Sequence, residues 1–382
     1  MTLPINIGFD AKRIVRNRTG LGNYCRTLVN DLAEVMPDRR LRLYTPIEGC
    51  EDLRERIVAR PNVEFVLPRN AVMPGHHSLW RSHGIVRDLL ADGVGIYHGL
   101  TGELPYGLRR SGIVGVVTIH DLIFLRHPEY YHWYDAWIYK QKFKLACREA
   151  TRIIAISECT KRDIIEFGNV EPERIDVVYQ SCNTRFKTRV TDEQRRSTSE
   201  RYSLPDRYVL NVGTVEERKN VGLAVEALCD LPDDVHLVVV GRRTRYADRV
   251  DEIARKQGVA DRVHFLSNLP TDELYAIYQM AECFVYPSRY EGFGIPIIEA
   301  IQSGLPVVAC TGSCLEEAGG DSCLYVSPDD AQALATAIND SLRGAPGREQ
   351  RIARAQEYAR RFENLGVAEQ VVDVYRRAVE GR

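Results

Sequence analysis

Two glutamates bracket a glycine-rich turn in the C-terminal half of this chain. Residues 289–304 read R-Y-E-G-F-G-I-P-I-I-E-A-I-Q-S-G, which places Glu291 and Glu299 eight positions apart. The glycines let the backbone pass close to another molecule, and the proline fits the first turn of a helix that carries Glu299. An interaction of Glu299 with its helix dipole is an alternative, but it explains neither Glu291 nor the glycines. The backbone N–H groups expected to donate to a ligand are those of Phe293, Gly294 and Ile295.

A pair of cations follows another apolar run. The segment G-T-V-E-E-R-K-N-V-G, residues 213–222, places Arg218 and Lys219 at the start of a helix. Two fixed cations beside a helix N-terminus suit a diphosphate, since each charge-assisted hydrogen bond contributes roughly 1.5 to 3 kcal/mol. The alternative is a solvated charged face, which the position directly after a strand disfavours.

The N-terminal half also carries polar residues directly after apolar runs. V-G-V-V-T-I is followed by His120, with Asp121 beside it. A histidine at that position can donate a hydrogen bond to a ligand carbonyl or hydroxyl. Ser157 follows R-I-I-A-I and either touches a ligand or caps the next helix. A structural role stays open for each of them.

A short glycine turn, T-G-L-G-N-Y-C-R at residues 19–26, opens a helix near the N-terminus. Gly20 and Gly22 form a G-x-G, but Cys25 stands where the dinucleotide fingerprint requires its third glycine. An NAD-dependent oxidoreductase is therefore disfavoured. The turn at Gly22 still suits a phosphate or a sugar, unless the glycines only shape the turn.

Alternating apolar runs and helical patterns predict the elements that hold these residues. In the first half, apolar runs at 5–11, 41–46 and 113–122 alternate with helical patterns such as 21–35, and the second half starts the alternation again. Such alternation indicates parallel strands with helical crossovers. We expect an α/β protein with two Rossmann-like, doubly wound domains that face one another across a cleft. Ligands in such domains bind at the carboxyl ends of the strands.

Three segments are expected along the chain. An N-terminal domain covers 1–183, a linker covers 184–205, and a C-terminal domain covers 206–361. The linker is predicted because its residues are polar and charged and show no apolar period. A final helical pattern follows at about 362–382.

Length and composition are typical of a soluble globular protein. The chain has 382 residues, 44% apolar and 27% charged, so two or three domains are expected. A net charge of -2 argues against nucleic-acid binding. No apolar run is long enough to span a membrane and we find no signal peptide, so the expected location is the cytoplasm. The ten cysteines are scattered without ligand spacing, so no metal site is expected.

Together these motifs resemble the retaining GT-B glycosyltransferases of sequence family 4, in particular their mannosyltransferase-like branch. The resemblance rests on T-G-L-G-N-Y, V-T-I-H-D-L, G-T-V-E-E-R-K-N, Y-P-S, E-G-F-G-I-P-I-I-E and S-G-L-P-V-V-A, and it spans nearly the whole chain in order. It implies transfer of a hexose from a nucleotide diphosphate sugar, with GDP-mannose favoured, with retention of configuration and without a cofactor or metal. It also implies that the helix at about 362–382 joins the N-terminal domain.

The resemblance assigns roles to the residues above. Glu299 would accept hydrogen bonds from the ribose and Glu291 from the transferred sugar, while Arg218 and Lys219 would neutralise the diphosphate. His120 would contact the sugar near its reacting carbon. The other residues of the implied donor site are Gly22, Ser157, Phe293, Gly294, Ile295 and Thr214, where many members instead carry arginine. No D-x-D follows a strand to hold a divalent ion between phosphates, which agrees with a reaction without a metal.

In this fold the N-terminal domain chiefly binds the acceptor, and two features of that half stand out. The aromatic stretch 127–144 contains Trp133 and Trp137, followed by lysines, and suits an anionic membrane surface or a lipid diphosphate. Alternatively, its aromatic residues fill the domain core or stack on an acceptor sugar. We expect a glycan acceptor, carried on a polyprenyl diphosphate as in O-antigen assembly. The second feature is a basic loop with Lys12, Arg13, Arg16 and Arg18.

Other functions stay open. One is a non-catalytic nucleotide-sugar-binding component of a polysaccharide assembly complex, and another is a nucleotide-sugar epimerase of the same fold. A phosphorylase is disfavoured, because no lysine stands in a pyridoxal-phosphate context. The presence of Glu291, Glu299, Lys219 and His120 together favours an enzyme, since a binder does not need all four.

Overall fold

The computed structural model describes residues 2–70, 72, 75–182, 184–362 and 364–381. The chain divides into two compact units, one made of Met1–Ser181 with Asn364–Arg382 and the other of Cys182–Glu363. Seven residues in the expected ranges lie outside the described residues: Met1, Ala71, Met73, Pro74, Asn183, Glu363 and Arg382.

The first unit is built on a seven-stranded parallel sheet in the order β3-β2-β1-β4-β5-β6-β7. Its strands are β1 (Asn6–Asp10), β2 (Arg40–Tyr44), β3 (Val63–Val66), β4 (Val94–Gly99), β5 (Val114–Ile119), β6 (Arg152–Ala155) and β7 (Ile175–Val177). The helices are α1 (Lys12–Arg16), α2 (Gly20–Val35), α3 (Glu51–Arg54), α4 (His77–Leu79), α5 (Ile85–Ala91), α6 (Ile123–Arg126), α7 (Trp133–Glu149) and α8 (Glu158–Gly168). A π-helical turn (Trp80–Gly84) and 3-10 turns (Arg109–Ser111, Pro128–Tyr130, Pro172–Arg174) complete it.

Apolar residues cover both faces of this sheet. Ile96 and Tyr97 are adjacent in β4 and belong to two different buried clusters, because successive strand residues point to opposite faces. All six residues of β5 are buried, as expected for a strand covered on both sides. The cores therefore hold the carboxyl ends of these strands, where the polar residues lie, in a rigid frame.

The second unit is built on a six-stranded parallel sheet in the order β10-β9-β8-β11-β12-β13. Its strands are β8 (Tyr208–Val212), β9 (His236–Val240), β10 (Val263–Leu266), β11 (Cys283–Tyr286), β12 (Val307–Cys310) and β13 (Leu324–Val326). The helices are α9 (Asp192–Tyr202), α10 (Val221–Ala227), α11 (Arg245–Lys256), α12 (Thr271–Met280), α13 (Ile295–Gln302), α14 (Leu315–Gly319), α15 (Ala331–Asn339) and α16 (Arg348–Ala359). The 3-10 turns are Thr184–Lys187, Glu217–Lys219, Leu228–Asp230, Ala260–Arg262 and Arg360–Phe362.

The expected linker at 184–205 is instead part of the second unit. Helix α9 occupies half of it and begins with a capping box between Thr191 and Gln194. Arg201, near the end of α9, lies 2.6 Å from Glu273 of α12. The helix is polar nearly all round because most of it is exposed, so the sequence shows no apolar period. Capping and ion pairs, rather than a buried stripe, identify it as a helix.

The last helix, α17 (Asn364–Glu380), belongs to the first unit. Its residues Val371, Val374 and Tyr375 are buried in the same core as α2. The Tyr375 hydroxyl lies 2.7 Å from Nδ1 of His98, a fully buried histidine of β4. This helix therefore completes the core of a sheet formed by the N-terminal half.

Candidate active site

The strand order of the second sheet reverses between β8 and β11. From β8 the chain continues to β9 and β10 on one side, and β11 to β13 lie on the other. In open parallel sheets, ligands bind beyond the carboxyl ends of the strands at such a point. The loop after β8 carries Arg218 and Lys219, and the loop after β11 carries Glu291. The predicted site residues of this unit therefore converge at its expected ligand position.

Glu291 forms ion pairs with both predicted cations. Its Oε2 lies 2.7 Å from Nη1 of Arg218, and its Oε1 lies 2.5 Å from Nζ of Lys219. All three side chains are at most 15% exposed. We call Arg218, Lys219 and Glu291 the charged triad. The resemblance assigned the two cations to the diphosphate and Glu291 to the transferred sugar. The structure places Glu291 in direct contact with both cations.

Neighbouring groups hold the charged triad in place. Lys219 donates to the Tyr286 hydroxyl at 2.5 Å, and Arg218 donates to the Tyr290 carbonyl at 2.8 Å. Arg218 also forms an ion pair with Glu216, at 2.6 Å between Nη2 and Oε1. Both loops contribute to this network, so the position of each cation depends on both.

The cations keep Glu291 ionised. Burial alone raises the pKa of a carboxyl group, but Lys219 and Arg218 outweigh it and lower the pKa of Glu291 to about 2. For Lys219, burial acts to lower the pKa, and the adjacent Glu291 and Tyr286 reverse this and raise it. The triad is therefore fully charged at neutral pH and presents fixed charges to any ligand.

Glu299 lies in the first turns of α13, as the helix pattern predicted. Its Oε2 accepts a hydrogen bond from the Tyr278 hydroxyl at 2.9 Å. Burial raises the pKa of Glu299 to about 7, although the hydrogen bond from Tyr278 opposes the rise. Unlike Glu291, this carboxyl forms no ion pair among the described residues, and it titrates near neutral pH.

The turn between the glutamates is tightly packed. Phe293 is buried, and its ring meets the ring of Phe362 edge-on at 5.4 Å. Gly294 directly precedes α13, and a Cβ atom added there would lie 2.8 Å from the Cβ of Ala318. Ile295 begins the helix, where the first N–H groups have no intrahelical acceptor. Glycine is therefore required at position 294 for packing, whether or not a ligand approaches.

Cys314 forms hydrogen bonds to the same turn. This buried residue just before α14 donates from Sγ to the carbonyls of Glu291 and Phe293, at 3.1 and 3.0 Å.

Thr214 lies half-buried in the loop after β8, next to Gly213, whose φ is +155°. A Cβ atom at Gly241 would lie 1.8 Å from the Gly213 carbonyl oxygen, so the loop at Thr214 packs closely on its neighbour.

In the first unit, His120 directly follows β5, but its ring nitrogens already have protein partners. Nε2 donates to the Leu100 carbonyl at 2.9 Å, and Nδ1 accepts from the Gln180 amide at 2.8 Å. Tyr24 packs edge-on against the ring at 4.7 Å. Burial lowers the pKa of His120 to about 4, although the Leu100 hydrogen bond opposes this. His120 is thus a neutral imidazole, and a ligand must exchange with Gln180 or Leu100 to reach its nitrogens.

Gly22 and Ser157 both have structural roles in the first unit. The N–H of Gly22 donates to Oδ1 of Asn17 at 3.2 Å, and a Cβ atom at Gly22 would lie 1.9 Å from the Asn17 carbonyl oxygen. The buried hydroxyl of Ser157 caps α8 by accepting from the Thr160 N–H at 2.9 Å. Of the two roles predicted for Ser157, the structure directly displays the helix cap.

The predicted basic loop is largely a short helix. Lys12, Arg13 and Arg16 lie on α1, and only Arg18 follows it. Burial lowers the pKa of Lys12, as does the nearby Arg81. Arg18 is held by Asp52, at 2.5 and 2.9 Å between their paired atoms. Within the part of the chain that the structure describes, these four cations have no carboxylate partner in common.

The aromatic stretch forms α7, and its tryptophans are at the surface. Trp133 is 81% exposed and Trp137 is 59% exposed. The alternative in which the aromatic residues fill the domain core is therefore wrong for these tryptophans, but it holds for Phe143 of the same stretch. That role belongs to Phe143, Ala146 and Cys147 on the later turns of the same helix.

Models of two protein families match the chain. Glycosyltransferase Family 4 matches residues 19–186, and Glycosyl transferases group 1 matches residues 192–360. The O-antigen chain mannosyltransferase B of Escherichia coli is 31% identical over 287 residues, covering 74% of this chain and 74% of that protein. The chain belongs to glycosyltransferase family 4.

This glycosyltransferase is also similar to a second mannosyltransferase and to a solved structure. The O-antigen chain mannosyltransferase RfbU of Salmonella typhimurium is 30% identical over 228 residues, which cover 59% of this chain and 60% of that protein, less than two thirds of its length. The solved structure of HepE from Anabaena, in complex with UDP and glucose, matches with a TM-score of 0.74 at 19% identity, over 97% of this chain and 98% of that chain. At this identity the match shows the fold alone, and it confirms the predicted two-domain GT-B fold.

The glycosyltransferase also has polar residues that sequence patterns did not identify. Arg81 lies 2.5 Å from Asp10 and 2.7 Å from Glu103, and Lys142 lies 2.8 Å from Glu103. Asp10 is a buried carboxylate at the carboxyl end of β1, and that position was a signal available in the sequence. Arg81 offered no such signal, because it lies in a π-helical turn far along the chain from its partner.

Two features are absent from the described residues of the glycosyltransferase. Among them, no helix combines the length and the apolar character needed to cross a membrane. Within the same part of the chain, no three His, Cys, Asp or Glu side chains are grouped so that they could hold a metal ion.

Proposed function

We propose that the enzyme transfers mannose from GDP-mannose, with retention of configuration and without a metal ion, to a glycan carried on a polyprenyl diphosphate. Relatives named as O-antigen chain mannosyltransferases, at 31% and 30% identity, support mannose as the transferred sugar and an O-antigen glycan as the acceptor. The observation that carries the donor class is the charged triad at the reversal of strand order. Two buried cations at that position suit a diphosphate.

The diphosphate binds Arg218 and Lys219 while Glu291 keeps both cations in place. The side chain of Glu216 is 39% exposed, and the diphosphate displaces it from Arg218, because an exposed ion pair contributes little. As the bond to the sugar breaks, negative charge grows on the leaving diphosphate, and the fixed cations stabilise it without rearrangement. The acceptor hydroxyl attacks from the same side as the leaving group, which retains the configuration. Its oxygen forms the new bond to the sugar carbon, and its proton passes to the oxygen of the departing diphosphate.

Glu299 accepts hydrogen bonds from the ribose hydroxyls. With a pKa of about 7, it is about half ionised in the free enzyme at neutral pH. Hydroxyl donors favour the ionised carboxylate, so nucleotide binding strengthens as the pH rises from about 6 to 8. His120 contacts the transferred sugar as a hydrogen-bonding group. It does not act as a general acid, because its pKa of about 4 leaves it neutral at pH 7.

The donor is tested with a thermal-shift panel of GDP, UDP and ADP, followed by an assay of nucleoside diphosphate release from the matching sugars. We expect GDP to raise the melting temperature most and GDP-mannose to be consumed only when a glycan acceptor is present. A larger shift with UDP overturns the GDP assignment, and no shift with any nucleotide overturns the donor site. Conversion of the sugar without an acceptor would identify an epimerase instead.

The enzyme binds an anionic membrane surface through α7, and the lipid-linked acceptor reaches it there. Trp133, Trp137, Lys140 and Lys144 follow one another at helical spacing, and all four are exposed. Aromatic rings and lysines along one exposed stripe suit the interface of an anionic bilayer. Tyr134, Ile138 and Tyr139 of the same helix are also exposed.

Flotation with liposomes that contain phosphatidylglycerol tests this contact. The double variant Trp133→Ala/Trp137→Ala is expected to lose most of the binding of the wild type at low salt. Leu90→Ala is the matched control, since Leu90 is 53% exposed on α5 of the same unit. Equal flotation of all three proteins, or no flotation of the wild type, contradicts the proposed contact.

A further inference from the structure

A second cluster of positively charged side chains lies in the first unit, at the amino ends of strands β5, β6 and β7. A cavity of about 430 Å³ is found there, and four of its lining residues are Arg109, Arg152, Arg174 and Arg377. Arg109 precedes β5 and Arg152 begins β6, whereas His120 follows β5 at its carboxyl end. The cavity is therefore separated from the candidate active-site residues of this unit by the length of the strands.

Two of the arginines are held firmly by neighbouring groups. Arg152 makes two hydrogen bonds to Asp176, at 2.6 and 2.9 Å. Arg174 donates to the carbonyls of Cys147 and Ala150, at 2.9 and 2.6 Å, where α7 ends. These contacts position both guanidinium groups in advance, which lowers the entropy lost when a ligand binds.

The positive charge of the cavity exceeds its negative charge. Asp176 is shared, because Arg377 also lies 3.0 Å from its Oδ1. The acceptors of Arg174 are neutral carbonyls. Within the described residues, the guanidinium group of Arg109 has no ion pair. In the part of the chain that the structure describes, the cavity lining thus contains four arginines and no carboxylate. The carboxylates beside it are Asp176, Glu149, which accepts from the Arg109 N–H, and Glu171 near Arg174.

Repulsion among these cations affects the pKa of Arg174. Burial lowers the pKa of Arg174, and the neighbouring Arg109 and Arg152 lower it further. An anion placed among these groups relieves the repulsion and forms charge-assisted hydrogen bonds, which guanidinium groups make in pairs with phosphate oxygens. The volume lies within the range of small-ligand sites, roughly 300 to 1,000 Å³.

We propose that this arginine cavity binds a phosphate group, at a site distinct from the charged triad. The group belongs either to a free phosphorylated small molecule or to the headgroup of a phospholipid. Both present the same oxyanion to the four arginines, and the measurements below separate them.

Calorimetric titration of the full chain with inorganic pyrophosphate tests the free form. The variant Arg109→Ala/Arg377→Ala removes two exposed guanidinium groups from the cavity, and we expect about tenfold weaker binding at this site. Arg110→Ala is the matched control, because Arg110 is an exposed neighbour that is not among the lining residues. The wild type, the double variant and Arg110→Ala all keep the charged triad, so pyrophosphate bound there contributes equally to each titration. A difference in binding between the double variant and the other two proteins therefore measures binding in the cavity.

Sedimentation with phosphatidylglycerol vesicles, compared with phosphatidylcholine vesicles, tests the headgroup. A loss in the double variant during the pyrophosphate titration supports a free phosphorylated ligand, and a loss only with anionic vesicles supports a headgroup. If the double variant and Arg110→Ala behave alike in both assays, the proposal is overturned. Circular dichroism without ligand checks folding, and Arg109→Ala alone replaces the double variant if that one does not fold.

Discussion

Replacing Glu299 by glutamine is expected to remove a pH dependence from the stability of the second unit. Burial raises the pKa of Glu299 to about 7 from an ordinary value of 4.5. Because the folded value is the higher one, the folded state binds more protons than the unfolded state between these two pH values. The contribution of Glu299 to stability is therefore fully present below about pH 4.5 and is lost as the pH rises towards 7.

The size of the effect follows from the two pKa values. The difference between 7 and 4.5, at about 1.36 kcal/mol for each pH unit, corresponds to about 3 kcal/mol. Glutamine keeps the size of the side chain and an oxygen that accepts from the Tyr278 hydroxyl, but it does not titrate. The stability of Glu299→Gln relative to the wild type should therefore rise by about 3 kcal/mol between pH 4.5 and 8.

Urea unfolding followed by circular dichroism, repeated at intervals between pH 4.5 and 8, measures this difference. Other titrating groups, such as Asp31, are present in both proteins and cancel. Glu252→Gln, which changes an exposed glutamate on α11, serves as the matched control. If the free energies of unfolding of the wild type and Glu299→Gln run parallel across this range, the carboxyl is not buried in the way described, and the reasoning fails.

Three further changes test the contacts of the site. Ser157→Ala removes the cap of α8 and should lower the free energy of unfolding by about 1 kcal/mol in urea; no change would contradict the cap. Gly22→Ala should lower the melting temperature, because its Cβ would meet the Asn17 carbonyl oxygen at 1.9 Å, whereas Gly20→Ala should not, since a Cβ there meets nothing within 4 Å. Equal melting temperatures for these two variants would refute that clash. Lys219→Met should slow transfer by an amount on the order of 3 kcal/mol in the barrier, with Lys256→Met on α11 as control, and near-wild-type turnover would rule out its role.

Sequence patterns predicted the elements better than they predicted the contacts between them. The strand preceding His120 and the helix carrying Glu299 were both foreseen, because apolar period and turn residues act over short stretches. Helix α9 was missed, since its stability depends on a capping box and on ion pairs to α12 rather than on a buried stripe. Local patterns contain no information about such partners.

The charged triad shows the same limit at the site itself. Glu291 and its two cations were each recognised as candidates, but they are more than seventy residues apart in the chain. Only the pairing of β8 with β11 brings their loops together. The partners of His120 were likewise beyond prediction, because Leu100 and Gln180 come from other segments of the unit.

Helix α17 has a consequence for the synthesis of the protein. It is translated after the entire second unit, yet its Val371 and Tyr375 are part of the core of the first. Until it emerges from the ribosome, the buried His98 lacks the hydroxyl partner that Tyr375 supplies, and an apolar face beside α2 stays uncovered. The nascent N-terminal half is therefore an incomplete domain that exposes apolar surface until α17 is made. An expression fragment that stops at residue 181 should aggregate unless α17 is supplied to it.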